Sequence, residues 1–339
     1  MKYKIKQKYP FVSLCTPTFN RRPFIPIIIK CIENQKYPKD KIEWIIVDDG
    51  TDKIEDLVKD IPYVKYFKLE EKITLGKKRN LANSYAKGDI IIYIDDDDYY
   101  PPDRIIHAVD TLKAYPEALC AGSSEMYIYF KDRKEMYQFG PYGPNHATAA
   151  TFAFRKELLS ITNYEDNAEL AEEKYFLKNY TIPFVQLNPF KTILVFSHNH
   201  NSLDKRTLLN TNNKSIKLSD KNVMDFVKEE HIMKFFMEDI DELLENYEFG
   251  KPENKPNLLK QMNEITENRA KIIEQHNKSI NDYNNIINKI LNKPNNNSDL
   301  SLLLQELTIE NKLLKDKIVY LEDKIKILIK EKIEFIKTS

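Results

Sequence analysis

The chain is poor in the residues that announce several common machineries. Its 339 residues include only seven glycines, three cysteines and one tryptophan. No Walker-type Gly-rich loop and no G-x-G-x-x-G stretch occurs, so phosphate is not cradled in the ATPase or dinucleotide manner. Cys15, Cys31 and Cys120 lie far apart in apolar surroundings, without metal-ligand spacing, and read as buried reduced thiols. No uninterrupted run of about 18 apolar residues occurs, so no membrane span is expected. The first ten residues, MKYKIKQKYP, lack the apolar stretch of a signal peptide. A soluble, cytoplasmic protein is the expectation. Charge of one sign is also missing: Lys+Arg and Asp+Glu both number 52, for a formal net charge of zero. Nothing in that balance points to nucleic acid or an anionic membrane.

What is present supports a sizeable core: 42% of residues are hydrophobic, and Tyr and Phe are plentiful. The first 200 residues alternate short β-rich runs with helical patterns. Strands are expected at 11–17, 42–49, 64–70 and 89–95, and helices at 22–35, 52–60, 74–86 (with Thr74 as N-cap) and 102–115. The fourth strand, DIIIYID, is apolar on both faces, as a central parallel strand must be. This rhythm implies an α/β fold with an open sheet and helices on both faces. After residue 120 the pattern mixes: a hairpin over 125–140, a strand over 147–155, a helix over 167–180, and two strands joined at Asn188–Pro189. From 201 to 297 strand signals vanish and amphipathic helix is expected at 221–247 and 256–291.

The last segment is the most periodic. Leu300, Leu307, Leu314, Leu321, Leu328 and Phe335 recur every seventh residue, with Leu304, Asn311, Ile318 and Ile325 among the partner positions. The pattern predicts a parallel coiled coil, a homodimer through 300–336, with isoleucines at Ile329 and Ile336 leaving a larger bundle open. Three segments result: a catalytic α/β domain over 1–200, a helical extension and linker over 201–297, and a coiled coil over 298–339.

The sharpest chemical signal is IIIYIDDDDYYPP at 90–102, where Asp95–Asp98 follow a buried strand. At the carboxyl edge of a parallel sheet, strand ends open into the crevice where ligands bind. A divalent cation there offsets carboxylate repulsion, and Mg²⁺ or Mn²⁺ completed by diphosphate oxygens suits the donor set. In extended chain, Asp95 and Asp97 point one way and Asp96 and Asp98 the other. A helix cap near 102 would need one aspartate rather than four. TPTFNRR (16–22), VDDGTD (47–52) and TLGKKRN (74–80) are three further strand-to-helix loops on the same edge.

Taken in order, SLCTPTFNRRPFI, VDDGTD, LGKKRNLA and IYIDDDDYYPPDRI resemble the motifs of family 2 glycosyltransferases with the GT-A fold. The resemblance covers about residues 10–200. The second motif is one residue shorter than the family's usual Ser–Thr–Asp ending. The resemblance implies an α/β, Rossmann-like mixed sheet, binding of a nucleotide sugar, chiefly a UDP-sugar, and inverting transfer with Mn²⁺ or Mg²⁺. Carried over by position, Thr16, Pro17 and Phe19 line the nucleotide pocket. Asp48 or Asp49 meets the base, and Arg79 lies near base or diphosphate. Asp97 ligates the metal, with Asp95 also a candidate ligand. Asp95 or Asp96 meets ribose or water. The family's general base at a helix start falls on Glu173 of LAEEKYFL, with Glu172 the alternative; solvated glutamates on an amphipathic helix would give the same pattern. The family's late histidine falls on His198 of FSHNHNS, with His200 its competitor, against the simpler reading of hydrogen-bonded loop histidines. The acceptor is a glycan or protein hydroxyl, and loop 141–146, PYGPNH, borders its site. Two other classes compete: a nucleotidyltransferase, and a non-catalytic nucleotide-sugar-binding assembly protein built around the coiled coil.

Overall fold

The computed structural model describes residues 9–170, 172–201, 204–209, 213–291, 305, 307–313 and 315. The chain divides into two compact units, 1–264 and 265–339. The first unit opens with β1 (Val12–Thr18), α1 (Ile25–Glu33), β2 (Ile42–Asp48), α2 (Glu55–Val58), β3 (Val64–Lys68), α3 (Leu75–Tyr85), β4 (Ile90–Tyr93) and α4 (Arg104–Ala114). β5 (Cys120–Gly122), the hairpin β6 (Met126–Phe130) and β7 (Glu135–Phe139), β8 (Ala153–Arg155), α5 (Glu173–Phe176), β9 (Phe184–Gln186) and β10 (Val195–Ser197) follow.

A seven-stranded sheet runs in the order β3-β2-β1-β4-β8-β5-β9. β1, β2, β3 and β4 are mutually parallel where they pair, while β8 runs antiparallel to both β4 and β5. The fourth strand is therefore parallel on one side only, within a mixed sheet of the kind the resemblance implied. Its apolar residues still divide by period two. Val12, Leu14, Trp44, Ile46, Ile90 and Ile92 enter the core on the α1 and α4 side. Cys15, Ile45, Val47, Ile91 and Tyr93 face Ala82 of α3 and Phe176 of α5. The three cysteines are free and buried, and Trp44 is fully buried. A second, four-stranded sheet has the order β10-β6-β7-β11, with β11 at Ile216–Leu218.

Several local expectations yield to side-chain competition. Residues 149–151 form a 3-10 turn, so β8 covers only the end of the expected strand. The Thr151 hydroxyl donates to the Thr148 carbonyl at 2.7 Å and accepts the Ser123 N–H at 2.9 Å, drawing the chain out of the ladder. The helix expected at 167–180 shrinks to the four residues of α5. It is closed by Lys178, Asn179 and Tyr180, all with positive φ. Thr74 stands at the N-cap of α3, but its hydroxyl donates to the Asp166 carbonyl instead of capping.

β11 falls where no strand was expected. It is preceded by α6 (Arg206–Leu209), and the helix expected at 221–247 is broken into α7 (Val223–Phe226), α8 (Glu230–Lys234) and α9 (Ile240–Glu245). A π-turn at Phe235–Asp239 lets adjacent Phe235 and Phe236 both turn inward, Phe236 stacking on Phe196 at 4.2 Å. α10 spans Pro256–Leu291, matching the helix expected over 256–291. Of the coiled-coil segment only 305, 307–313 and 315 are described, and these are helical. The dimer expectation otherwise lies outside the described residues. Among the described residues no helix is long and apolar enough to cross a membrane.

Candidate functional site

β2 lies on one side of β1 and β4 on the other. Their carboxyl ends therefore diverge, and a crevice opens at this switch point. The end of β4 is tied to β1 by two bonds. Ile94 N–H donates to the Cys15 carbonyl at 3.1 Å, and the Thr16 hydroxyl donates to the Ile94 carbonyl at 2.7 Å. The chain then leaves the ladder, because Asp95 N–H donates to the Tyr100 hydroxyl at 2.6 Å. Asp95, Asp96 and Asp97 all line one cavity of about 150 Å³. The alternation expected of an extended D-x-D segment is therefore absent. Asp98, buried, is the one aspartate of the four turned away from that cavity.

Cations converge on the tetrad. Arg21, almost wholly buried, places Nε 3.8 Å from Asp96 and 3.5 Å from Asp97. Its two terminal nitrogens donate to the Gly250 carbonyl at 3.0 Å and the His200 carbonyl at 2.6 Å. Arg79, on α3, places Nη2 3.5 Å from Asp95 and donates through Nε to Glu172 at 2.9 Å. Its guanidinium lies 4.5 Å from the centre of the Tyr93 ring, and Nη1 has no hydrogen-bond partner among the described residues. Lys255, at the entry to α10, is a further lining residue beside the Phe19 ring, 5.7 Å from its centre. Burial and the nearby Arg21 push its ammonium down to about 7, against the pull of Asp96 and Asp97. Crowding acts on the carboxylates too: burial and the Asp97 charge push Asp96 up to about 7. Asp97 is held well below the usual carboxylate range despite its burial, by the His198 hydrogen bond and Arg21.

The remaining lining comes from Pro17, Phe19, Lys72, Ile73, Leu75, Lys78, Glu169 and Leu258. Lys72 and Lys78 approach the Phe19 ring centre at 5.5 and 5.9 Å, so three lysines surround one aromatic face. Thr16 does not reach the cavity; its hydroxyl, spent on Ile94, also accepts from Trp44 Nε1 at 2.8 Å. Asp48 is likewise internal, accepting from Gly50 N, Ile54 N and the Tyr66 hydroxyl at 2.8, 3.2 and 2.6 Å. Asp49 pairs with Lys78 through one oxygen and accepts from Ile73 N at 2.9 Å through the other.

The two glutamates of α5 differ sharply. Glu172 is buried and bound to Arg79. Glu173 is half-buried, and burial together with the Glu172 charge pushes it up to about 7. The two histidines differ as well. His198 Nε2 lies 3.4 Å from Asp97, and burial lowers its ring to about 4, so it is neutral. His200 contributes its carbonyl to Arg21, and its ring lies over Tyr247 with centres 6.2 Å apart.

Arg21, Lys72, Lys78, Glu169 and Lys255 carried no role in the sequence reading. Arg21 stood inside a quoted motif, and its position after a buried strand was the available signal. Lys255 had none, since it lies beyond the last strand pattern and is brought in by tertiary contacts alone.

A divalent cation is implied by the resemblance. Among the described residues no three His, Cys, Asp or Glu side chains converge as a ligand set. Asp97 Oδ2 and His198 Nε2 do approach each other, and Asp95 Oδ1, ion-paired with Arg79 Nη2 at 3.5 Å, is buried and accepts no hydrogen bond among the described residues. One or two carboxylates, with the remaining ligands from diphosphate and water, is the usual habit of Mg²⁺. The donor set fits a cation that arrives with its substrate, not one caged by protein alone.

The sequence profile described as Glycosyl transferase family 2 matches residues 13–166. The Staphylococcus aureus poly(ribitol-phosphate) beta-N-acetylglucosaminyltransferase TarS is 30% identical over 92 residues, 26% of this chain and 16% of that protein. A Campylobacter jejuni GalNAc(5)-diNAcBac-PP-undecaprenol beta-1,3-glucosyltransferase is 35% identical over 96 residues, 26% of this chain and 30% of that protein. The chain thus spans less than a third of the length of these relatives. The crystal structure of S. aureus TarS 1-349 in complex with UDP-GlcNAc superposes with a TM-score of 0.48 at 18% identity, covering 60% of this chain and 68% of that one. Residues 13–166, where the strand-end motifs of the crevice lie, match the model of glycosyl transferase family 2.

Proposed function

We propose that the chain is an inverting glycosyltransferase of the GT-A fold that moves a sugar from a nucleotide diphosphate sugar, a UDP-sugar, to an acceptor hydroxyl. The observation that supports this most is the convergence of Asp95–Asp97 with Arg21, Arg79 and Lys255 at the β1/β4 switch point. Acid alone would be a self-repelling cluster, and base alone an anion trap. Together they suit a diphosphate that arrives with a divalent ion.

In this reading Pro17 and Phe19 flank the nucleotide. Arg79, with Nη1 unspent, and Lys255 offer positive charge to the diphosphate. Asp97 and His198 would hold Mn²⁺ or Mg²⁺, which when bound stabilises charge on the leaving diphosphate. Glu173 takes the proton from the acceptor hydroxyl as its oxygen attacks the anomeric carbon. The bond from that carbon to the diphosphate oxygen breaks, and the nucleoside diphosphate departs with the electron pair. A base near 7 is poised for this task. Glu172 is a poor candidate because Arg79 already holds it, and it acts as a brace. The acceptor is a glycan or protein hydroxyl.

Incubation with a panel of nucleotide sugars and Mn²⁺, measuring released nucleotide, tests the reading. Release from a UDP-sugar is expected, with a loss of about 10²–10³ in rate for Asp97→Ala. Release that survives this substitution, or that ignores chelation by EDTA, defeats the metal assignment. No release and no UDP binding defeats the transferase reading as a whole.

A further inference from the structure

Beside Glu173 the chain takes an uncommon path. α5 runs into Lys178, Asn179 and Tyr180, with φ of 47°, 54° and 63°. Three successive non-glycine residues in the left-handed region carry a local conformational cost and persist only where surrounding contacts impose them. Here Lys178 N–H donates to the Tyr175 carbonyl and Asn179 N–H to the Lys174 carbonyl, both at 2.8 Å, and loop 141–146 adds a further contact. Asn145 Nδ2 donates to the Tyr180 carbonyl at 3.2 Å. Gln186 Nε2, from the sheet-edge strand β9, reaches the carbonyls of Gly143, Pro144 and His146 at 3.3, 2.8 and 2.9 Å. The loop is entered at Gly140, whose φ of 88° and 2.1 Å gap between a notional Cβ and the Ser124 carbonyl admit no side chain.

These constraints set three rings in a row. His146 lies 5.0 Å from Tyr142 and 5.2 Å from Tyr180, centre to centre, with interplanar angles of 53° and 37°. Burial lowers the His146 ring below its ordinary value, so it is a neutral aromatic surface. Tyr142 is 43% exposed. Tyr180 is close enough to Glu173 that, after burial, the glutamate's charge is what raises its phenol. The donor cavity does not use these residues, and the core does not need an exposed tyrosine.

We propose that Tyr142, His146 and Tyr180 form a shelf on which a pyranose ring of the acceptor stacks, so that the acceptor is a glycan. The C–H face of a pyranose is apolar and flat, and rigid aromatic rings cover it at small entropic cost, while phenol groups at the rim meet hydroxyls. An open polyol chain offers no such face. The inference rests on Glu173 being the base, because that is what places the shelf at the acceptor side.

The test is saturation-transfer NMR on the full chain with cellotriose and chitotriose, and with ribitol 5-phosphate as the open-chain control. Ring protons of at least one trisaccharide should receive saturation. Apparent affinity should weaken about fivefold in Tyr142→Ala and return in Tyr142→Phe. Melting temperatures of the variants report folding, and the exposed position of Tyr142 makes it the deciding one. Saturation of neither trisaccharide, saturation unchanged in Tyr142→Ala, or saturation of ribitol 5-phosphate alone overturns the shelf. UDP added in a separate tube reports on the donor site through its uracil protons. Its failure to bind would overturn sugar transfer and leave the shelf to be judged by the trisaccharides.

Discussion

One wall of the crevice consists of strand ends, Pro17 to Arg21 and Asp95 to Asp97; the other is a strap over 247–261 that brings Lys255 and Leu258 to the same cavity. The first wall follows directly on strands that the ladder bonds of the sheet hold in place. The second is fixed by scattered tethers. Tyr247 donates to Asp52 at 2.9 Å, Asn20 to the Phe249 carbonyl at 2.9 Å, and Gln261 to the Asn167 carbonyl at 2.7 Å. Gly250 lets the strap approach, since a Cβ there would stand 2.7 Å from the His200 ring. Arg21 belongs to both walls, gripping the Gly250 carbonyl while neutralising Asp96 and Asp97. The difference suggests a division of labour: strand ends place the chemistry, and the strap completes the charge around it.

The largest expected effect lies outside both walls and sharpens the contrast between them. Glu173→Gln should lower transfer by about 10²–10⁴ with UDP binding retained, since it removes the proposed proton acceptor and Glu173 is not among the lining residues of the cavity. In the unsubstituted protein, kcat/KM should rise with pH with unit slope up to about 7 and then level, because the raised Glu173 is protonated below that value. Its burial also works against stability. A carboxyl that ionises near 4.5 when unfolded and near 7 when folded loses stability as pH rises between those values. A melting temperature that Glu173→Gln raises at pH 8 but not at pH 4 would show the linkage. Unchanged transfer in the variant would place the base elsewhere.

Next in size is Arg21→Met. Two carboxylates would keep their buried positions without their guanidinium, and the strap would lose a tether. Removing one partner from a buried ionic cluster costs about 3–5 kcal/mol. Urea unfolding of the variant should show a loss of that order. A loss below about 1 kcal/mol would mean that the two walls are joined by something other than Arg21.

How far the walls could be seen in advance follows from the same contrast. β1, β2 and β4 announce themselves because a buried strand must be apolar over its length, and the loop after it is then forced to the carboxyl edge. Asp95, Asp96, Asp97, Pro17 and Phe19 were placed at the crevice for that reason. Thr16 and Asp48 sit in the same motifs yet point inward. A motif fixes which loop approaches the crevice and leaves open which side chain turns to Trp44 or Tyr66 instead. α5 and β8 were overestimated because helix and strand patterns do not reveal a threonine or a left-handed run that ends them early. β11 was missed because three residues, two of them exposed, give no period to read. Lys255 was beyond reach, since one lysine among many becomes special only when Tyr247, Phe249, Gly250 and Gln261 have bound the strap down.

The smallest predicted effect bears most directly on the comparison. Lys255→Gln keeps a polar side chain of similar length in the strap and removes one charge from a cavity that already holds Arg21, Lys72, Lys78 and Arg79. Its loss should therefore weaken the donor about tenfold, near 1.4 kcal/mol, and leave kcat for bound donor within about threefold. Stability should move less than in Arg21→Met, because the tethers named above run through Tyr247, Phe249, Gly250 and Gln261. A donor KM raised tenfold with an unchanged melting temperature would make the strap a substrate-binding element. If Lys255→Gln instead cost as much stability as Arg21→Met with donor affinity intact, Lys255 would be a counter-ion of the tetrad, and the strap a structural closure of the fold.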